Sequence, residues 1–172
     1  SSLGYNVPES QSSIEENVPV KHLTFRGIEI EGAASIMCEK LKRLGYRSEK
    51  KTEFGYVLEG DFAGISNCDI VIIESEYIGE VRKISVFTPK YNQWYSLKEE
   101  YFKFKQMYTR KYGDDYNVKS YEFFSSPYEE GDGDEMTALY HDKCTFSTYI
   151  HLAEGIIFIG IMSNGRICFG YE

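Results

Sequence analysis

Residues 96–113 read SLKEEYFKFKQMYTRKYG, and the class of fold turns on them. Leu97, Tyr101, Phe104, Tyr108 and Tyr112 recur at intervals of three and four, tracing one face of a helix of about four turns. Ser96 and Glu99 have the S-x-x-E spacing of a capping box, in which each side chain takes up an N–H left unpaired at a helix start. Gly113 ends the helix. Lys103, Lys105, Arg110 and Lys111 fall in its second half, where positive charge complements the negative end of the helix dipole. After Gly113 the period changes. Residues 117–124, 136–141, 144–151, 156–162 and 166–171 are short and strand-like. The pairs Glu154-Gly155 and Asn164-Gly165 read as hairpin turns, the second as type I′.

Upstream the same order is found. Residues 20–30 carry Leu23, Phe25, Ile28 and Ile30 and predict a strand, with Gly27 as a bulge. Residues 33–44 follow as a helix, with Ala34, Met37, Cys38, Leu41 and Leu44 on its apolar face. Gly45 supplies a left-handed end, and Tyr46 packs back onto the helix. Phe54, Tyr56 and Leu58 alternate as a strand, residues 60–64 read as a turn, and residues 68–76 and 80–88 as a hairpin across Tyr77-Ile78-Gly79. Pro89 closes the unit. The fold class is therefore α+β, with two helices packed on antiparallel sheet.

Helix plus three strands, met twice, predicts a tandem duplication with half-repeats 20–90 and 96–172. Cys68 stands eleven residues before Gly79, and Cys144 eleven before Gly155. Residues 20–172 then form one α+β domain. Residues 1–19, rich in Ser, Glu, Asn and Pro, read as a flexible tail, or as a tether, by lipid or by chain, to a membrane.

Composition bounds the function. A net charge of −8 at 172 residues argues against a nucleic-acid partner, which needs a concentrated basic surface. No apolar stretch approaches the ~20 residues of a membrane span. Four widely spaced cysteines, with no CxxC pair, read as buried free thiols. The unusual entry is 15 Tyr and 11 Phe against a single Trp. Tyr suits half-buried strand positions, and it also suits an exposed binding surface.

No catalytic constellation emerges. His22, His141 and His151 lack metal or hydrolase spacing. Cys144 and His141 are close enough in sequence to pair, but no third group orients them. Glu129, Glu130, Asp132, Asp134 and Glu135 crowd one Gly-containing loop without a calcium-loop pattern, so a solvated acidic loop is expected. The glycines of residues 60–64 lead toward a strand and fail as a phosphate loop. No catalytic residue, metal ligand or cofactor is assigned.

Phe25-x-Gly27-Ile28-x-Ile30-x-Gly32, Gly60-Asp61-Phe62-Ala63-Gly64 with Asn67-Cys68, Ser96-Leu97 and residues 108–113 resemble a family of uncharacterised Bacteroidetes proteins whose precursors carry a signal peptide. The resemblance covers about Val20 to Gly113. It implies an exported protein, periplasmic or associated with the cell envelope, and brings no chemistry. The tandem helix-plus-sheet pattern is also similar in architecture to β-lactamase inhibitor protein. The expectation is a non-enzymatic exported module that binds another protein; the alternative is a glycan-binding module using exposed aromatic rings. Tyr91, Trp94 and Tyr95 lie on the connection between Pro89 and Ser96 and are the candidate ligand-binding residues. Either they are displayed, or one staples the helix end, a role Tyr95 fits best.

Overall fold

The computed structural model describes residues 4, 21–114 and 117–172, so the tail read over residues 1–19 lies, residue 4 apart, outside the described residues. The mixed α+β class is observed. The elements are β1 (Thr24–Phe25), β2 (Ile28–Glu29), α1 (Ala34–Arg43), β3 (Arg47–Thr52), β4 (Gly55–Phe62), β5 (Ile65–Glu74) and β6 (Val81–Phe87). After them come α2 (Trp94–Tyr112), β7 (Val118–Phe124), α3 (Glu135–Tyr140), β8 (Cys144–Leu152), β9 (Gly155–Ile161) and β10 (Ile167–Tyr171). One eight-stranded sheet runs β3-β4-β5-β6-β10-β9-β8-β7, antiparallel throughout.

Each half thus has one long helix and four strands, with the short α3 added between β7 and β8 in the second. In the first half this is one strand more than the sequence reading supplied. The missed strand is β3, whose RSEKKT sequence is exposed or nearly so along its length. An edge strand with no buried face has no alternation to detect. The halves meet where β6 pairs with β10, from Cys168 opposite Phe87 to Tyr171 opposite Ile84. The matched cysteines do not correspond in this order, because Cys68 is on the third strand of its half and Cys144 on the second.

The register puts Leu58, Ile70, Val86, Phe169, Ile159 and Thr148 in one line across the sheet. All are fully buried. The same face receives both long helices, α1 against β4 and β5 and α2 against β8 and β9. Met37, Leu41, Tyr101 and Phe104 are buried as their spacing predicts. Phe169 is a hub: its ring lies 5.1 Å from Phe62, 4.9 Å from Phe104 and 5.6 Å from Tyr108. Gly45 ends α1 at φ 102, with its N–H on the Lys42 carbonyl and the Tyr46 N–H on the Leu41 carbonyl. This is the paired arrangement of a Schellman end. Leu44, read as part of the apolar face, is instead exposed at the helix end.

Four local readings are corrected. Residues 20–30 hold a small hairpin, because Arg26 and Gly27 both take positive φ and turn the chain between Phe25 and Ile28. The turn in residues 60–64 sits only at Ala63-Gly64; Gly60 stays in β4, where a Cβ would fall 2.4 Å from the Tyr46 ring. Residues 136–141 form α3 rather than a strand, since the adjacent Ala138 and Leu139 are both buried. A strand would send neighbours to opposite faces. At Asn164-Gly165 only Gly165 takes positive φ, and its N–H returns to the Met162 carbonyl. That is a type I turn followed by a left-handed glycine, not type I′.

Candidate functional site

The three aromatic candidates are not all on a connection. α2 begins at Trp94, with Gln93 at its cap and Ser96 already inside, so the capping box does not form. Trp94 and Leu97, three apart, face the sheet together. The indole meets the rings of Phe124 and Phe146 edge-on at 5.2 and 5.0 Å. Trp94 is therefore the residue packed over the helix start, whereas Tyr95, assigned that role in sequence, is 75% exposed. Tyr91 is tied to the β9–β10 turn by its N–H on the Gly165 carbonyl. Burial pushes its phenol up to about 12. Of the three, Tyr95 alone is displayed.

The thiols are buried and unpaired with one another. Burial, with the hydrogen bond from Cys38 Sγ to Glu49 as a second cause, pushes Cys38 up to about 12. Burial likewise takes Cys144 to about 12 and Cys68 and Cys168 to about 11. All four shifts oppose the thiolate a nucleophile requires. His141 caps the end of α3, and His22 lies 3.0 Å from Glu31. In the acidic loop, Asp132 accepts the N–H groups of Glu129 and Asp134, while Glu130 pairs with Lys98. Among the described residues no three His, Cys, Asp or Glu side chains converge. None of the described helices is long and apolar enough to cross a membrane.

The sheet face turned away from the helices has the clearest binding geometry. Its central row crosses all eight strands: Lys50, Val57, Val71, Ser85, Gly170, Phe158, Tyr149 and Lys119. The row beside it is Arg47, Glu59, Asp69, Phe87, Cys168, Gly160, Ser147 and Tyr121. Small residues therefore floor its middle, at Ser85, Gly170, Cys168 and Gly160. The Phe158 ring lies across Gly160, where a Cβ would come within 2.2 Å of it. From there an aromatic run climbs to the β7 edge: Phe158 to Tyr149 at 5.1 Å and Tyr149 to Tyr121 at 6.1 Å. Tyr149 is 36%, Tyr121 49% and Phe123 50% exposed. Between β7 and β8 the run borders an open depression of about 530 Å³ that also includes Lys119, Ser147 and His151.

Sequence reasoning missed this run because each of its residues sits singly on a different strand. Only the pairing register brings Tyr121, Tyr149 and Phe158 together. The signal within reach was the polar or aromatic residue at every second position of 145–151. No protein-family model, curated protein or solved structure matches the chain.

Proposed function

We propose that the protein is a non-enzymatic module that binds another protein on the open face of its sheet, centred on Phe158, Tyr149 and Tyr121. The observation that carries the reading is the uncovered aromatic run beside a floor of small residues, with Lys83 and Lys119 at its sides. Tyr and Phe are enriched at the centres of protein interfaces, and the small residues beneath let the Phe158 ring lie flat on the sheet. An exported setting, which the Bacteroidetes resemblance implies, makes an envelope protein the partner to look for.

The glycan alternative is the weaker reading. Sugars stack on broad ring faces, but Tyr149 is tilted 53° to Phe158 and 82° to Tyr121. The displayed Tyr95 stands alone among the three sequence candidates and offers no platform.

We further propose that the two halves descend from one duplicated unit of a helix and four strands. Support comes from the matched element order and from a sheet order symmetric about the β6–β10 seam.

The test is site-specific photocrosslinking in an envelope extract, with the reactive side chain at Tyr121 or, as control, at Ile36 on the helix side. A single adduct from Tyr121, lost on Tyr149→Asp and absent from Ile36, supports the reading. Equal adducts from both positions, or glycan-array binding that Tyr149→Asp abolishes, overturns it.

A further inference from the structure

A sheet that is not closed has two edges, and unpaired backbone groups on an edge are a template for another strand. The two edges of this sheet are built differently. β3 is polar along its whole length, shifts register between Arg47 and Lys50, and holds Ser48 at φ 60. Charge and a bulge of this kind block strand addition.

β7 lacks the bulge, and its only charges are Lys119 and Glu122. Its seven residues pair with β8 without a shift. The His151 N–H donates to the Asn117 carbonyl and the Ser125 N–H to the Lys143 carbonyl, so the odd-numbered positions hydrogen-bond to β8. Alternation then turns the backbone groups of Val118, Ser120, Glu122 and Phe124 outward. Among the described residues no strand pairs with them. α2 itself carries a depression bordered by Phe102, Lys105 and Gln106, and it touches β7 through the Lys105–Glu122 ion pair.

We propose that β7 pairs antiparallel with β7 of a second copy about a two-fold axis through Tyr121, joining two sheets into one. This inference uses the backbone edge of β7, but it shares Tyr121 with the partner-binding reading. Tyr149→Asp, one strand inward, separates them, since it should remove partner capture and leave the dimer. A Tyr121 adduct to a second copy of the chain belongs to the dimer.

Side-chain chemistry selects both the occupant and the register. Like faces must meet, so residues of the same parity are opposed. An axis at Lys119 would set two ammonium groups opposite one another, and an axis at Glu122 two carboxylates, each repulsive. An axis at Ser120 would set Glu122 against Val118. With the axis at Tyr121 the full strand pairs: Val118 meets Phe124, Lys119 meets Phe123, Ser120 meets Glu122, and Tyr121 meets itself. No like charges are opposed, and the Lys119 ammonium gains a ring. The Glu122 carboxylate, which points inward, is already held by Lys105 at 2.7 Å. It forbids the neighbouring register without blocking the edge.

Sedimentation equilibrium of the full chain at about 0.15 M salt, where repulsion between the acidic chains is largely screened, tests the proposal. A reversible dimer is expected. Phe123→Lys opposes two ammonium groups, twice per dimer, and should raise the dissociation constant about tenfold. Adding Lys119→Glu to the same chain restores opposite charges and should recover most of that loss. Tyr121→Cys should crosslink chain to chain under mild oxidation, since directly opposed residues that are not hydrogen-bonded approach to about 4.5 Å between Cα atoms. Tyr149→Cys, one strand inward, should not. Circular dichroism confirms that each variant is folded. A chain that stays monomeric at about 10⁻⁴ M, the weak end of specific association, overturns the proposal. So does a dimer that ignores Phe123→Lys, or one that Lys119→Glu fails to rescue. A monomer whose β7 edge is taken by the chain's own N-terminal segment also overturns it.

Discussion

The two faces of the sheet are made by the same strands and obey opposite rules. Toward the helices, strands β4 to β6 and β8 to β10 bury mostly large apolar groups, and side chains from both halves form one cluster. On the other face the alternate residues of those strands run from Val71 through Ser85, Gly170 and Cys168 to Tyr149, with charges at both ends of the row. A face that only had to meet water would carry more Lys, Glu and Thr. Here aromatic area is retained where no described element covers it. The inner face holds the fold together; if the outer face serves recognition as proposed, damage to the two should separate into loss of stability and loss of binding.

The sharpest break in that comparison is at the hub. Phe169→Ala removes a ring that touches Phe62 of the first half and Phe104 and Tyr108 of α2, and should cost about 3–5 kcal/mol. Urea denaturation checks it. A loss below about 1 kcal/mol would mean that the two halves are not packed through this ring.

The comparison also explains what could be read from the chain. The inner face was legible because burial repeats at 3.6 in α1 and α2 and at 2 in β5 and β8, and Met37, Leu41, Tyr101 and Phe104 are where the period sets them. The start of α2 was misread because local chemistry pointed to Ser96 as the cap, while packing of Trp94 on Phe124 and Phe146 carried the helix three residues further, to a cap at Gln93. Tertiary contact overrode the cap. The open face was nearly illegible. Its residues have no mutual spacing in sequence, and the register that lines up Tyr121, Tyr149 and Phe158 is set by turns and by the buried face.

The seam between halves gives the next effect in size. Arg166 reaches back from the β9–β10 turn to Asp69 at 2.5 Å and to the Thr88 carbonyl at 2.6 Å, both in the first half. Arg166→Ala should cost about 1–2 kcal/mol, more than an exposed ion pair, because it leaves the Thr88 carbonyl without this charged donor. Arg166→Lys should restore only part, since a point charge cannot serve both acceptors in the same fork. Full recovery by Lys would reduce the contact to simple charge attraction.

Alkaline pH acts on buried thiols of both faces, Cys68 toward the helices and Cys168 beneath the open face. The folded chain holds the Cys68 and Cys168 thiols protonated up to about 11, against an ordinary value of 9.0. The folded state therefore binds these protons more tightly than the unfolded one. Their contribution to stability is full below about pH 9 and declines as pH rises toward 11. A melting temperature that holds level from neutral pH to about 9 and then falls is expected, and Cys168→Ala should flatten part of the fall. If Cys168→Ala leaves the alkaline fall unchanged, the Cys168 thiol is not held protonated by burial.

The smallest stability effect, and the one that separates the faces most directly, is expected at Tyr149. Its ring lies on Phe158 and Tyr121 but is open to solvent above, so Tyr149→Ser forfeits two partial ring contacts and little burial. Exposed ring pairs are worth about 0.5–1.5 kcal/mol, so a loss near 1 kcal/mol is the expected ceiling. The serine hydroxyl meets water without penalty, and neighbouring Ser147 already shows that this face tolerates it. If the open face is a recognition surface, the same substitution should remove most capture of the photocrosslinked partner while the melt moves by a few degrees. A loss of 3 kcal/mol or more, the scale of a buried ring, would instead make Tyr149 part of the core. The distinction between a face that holds the fold and a face that meets a partner would then fail at its central residue.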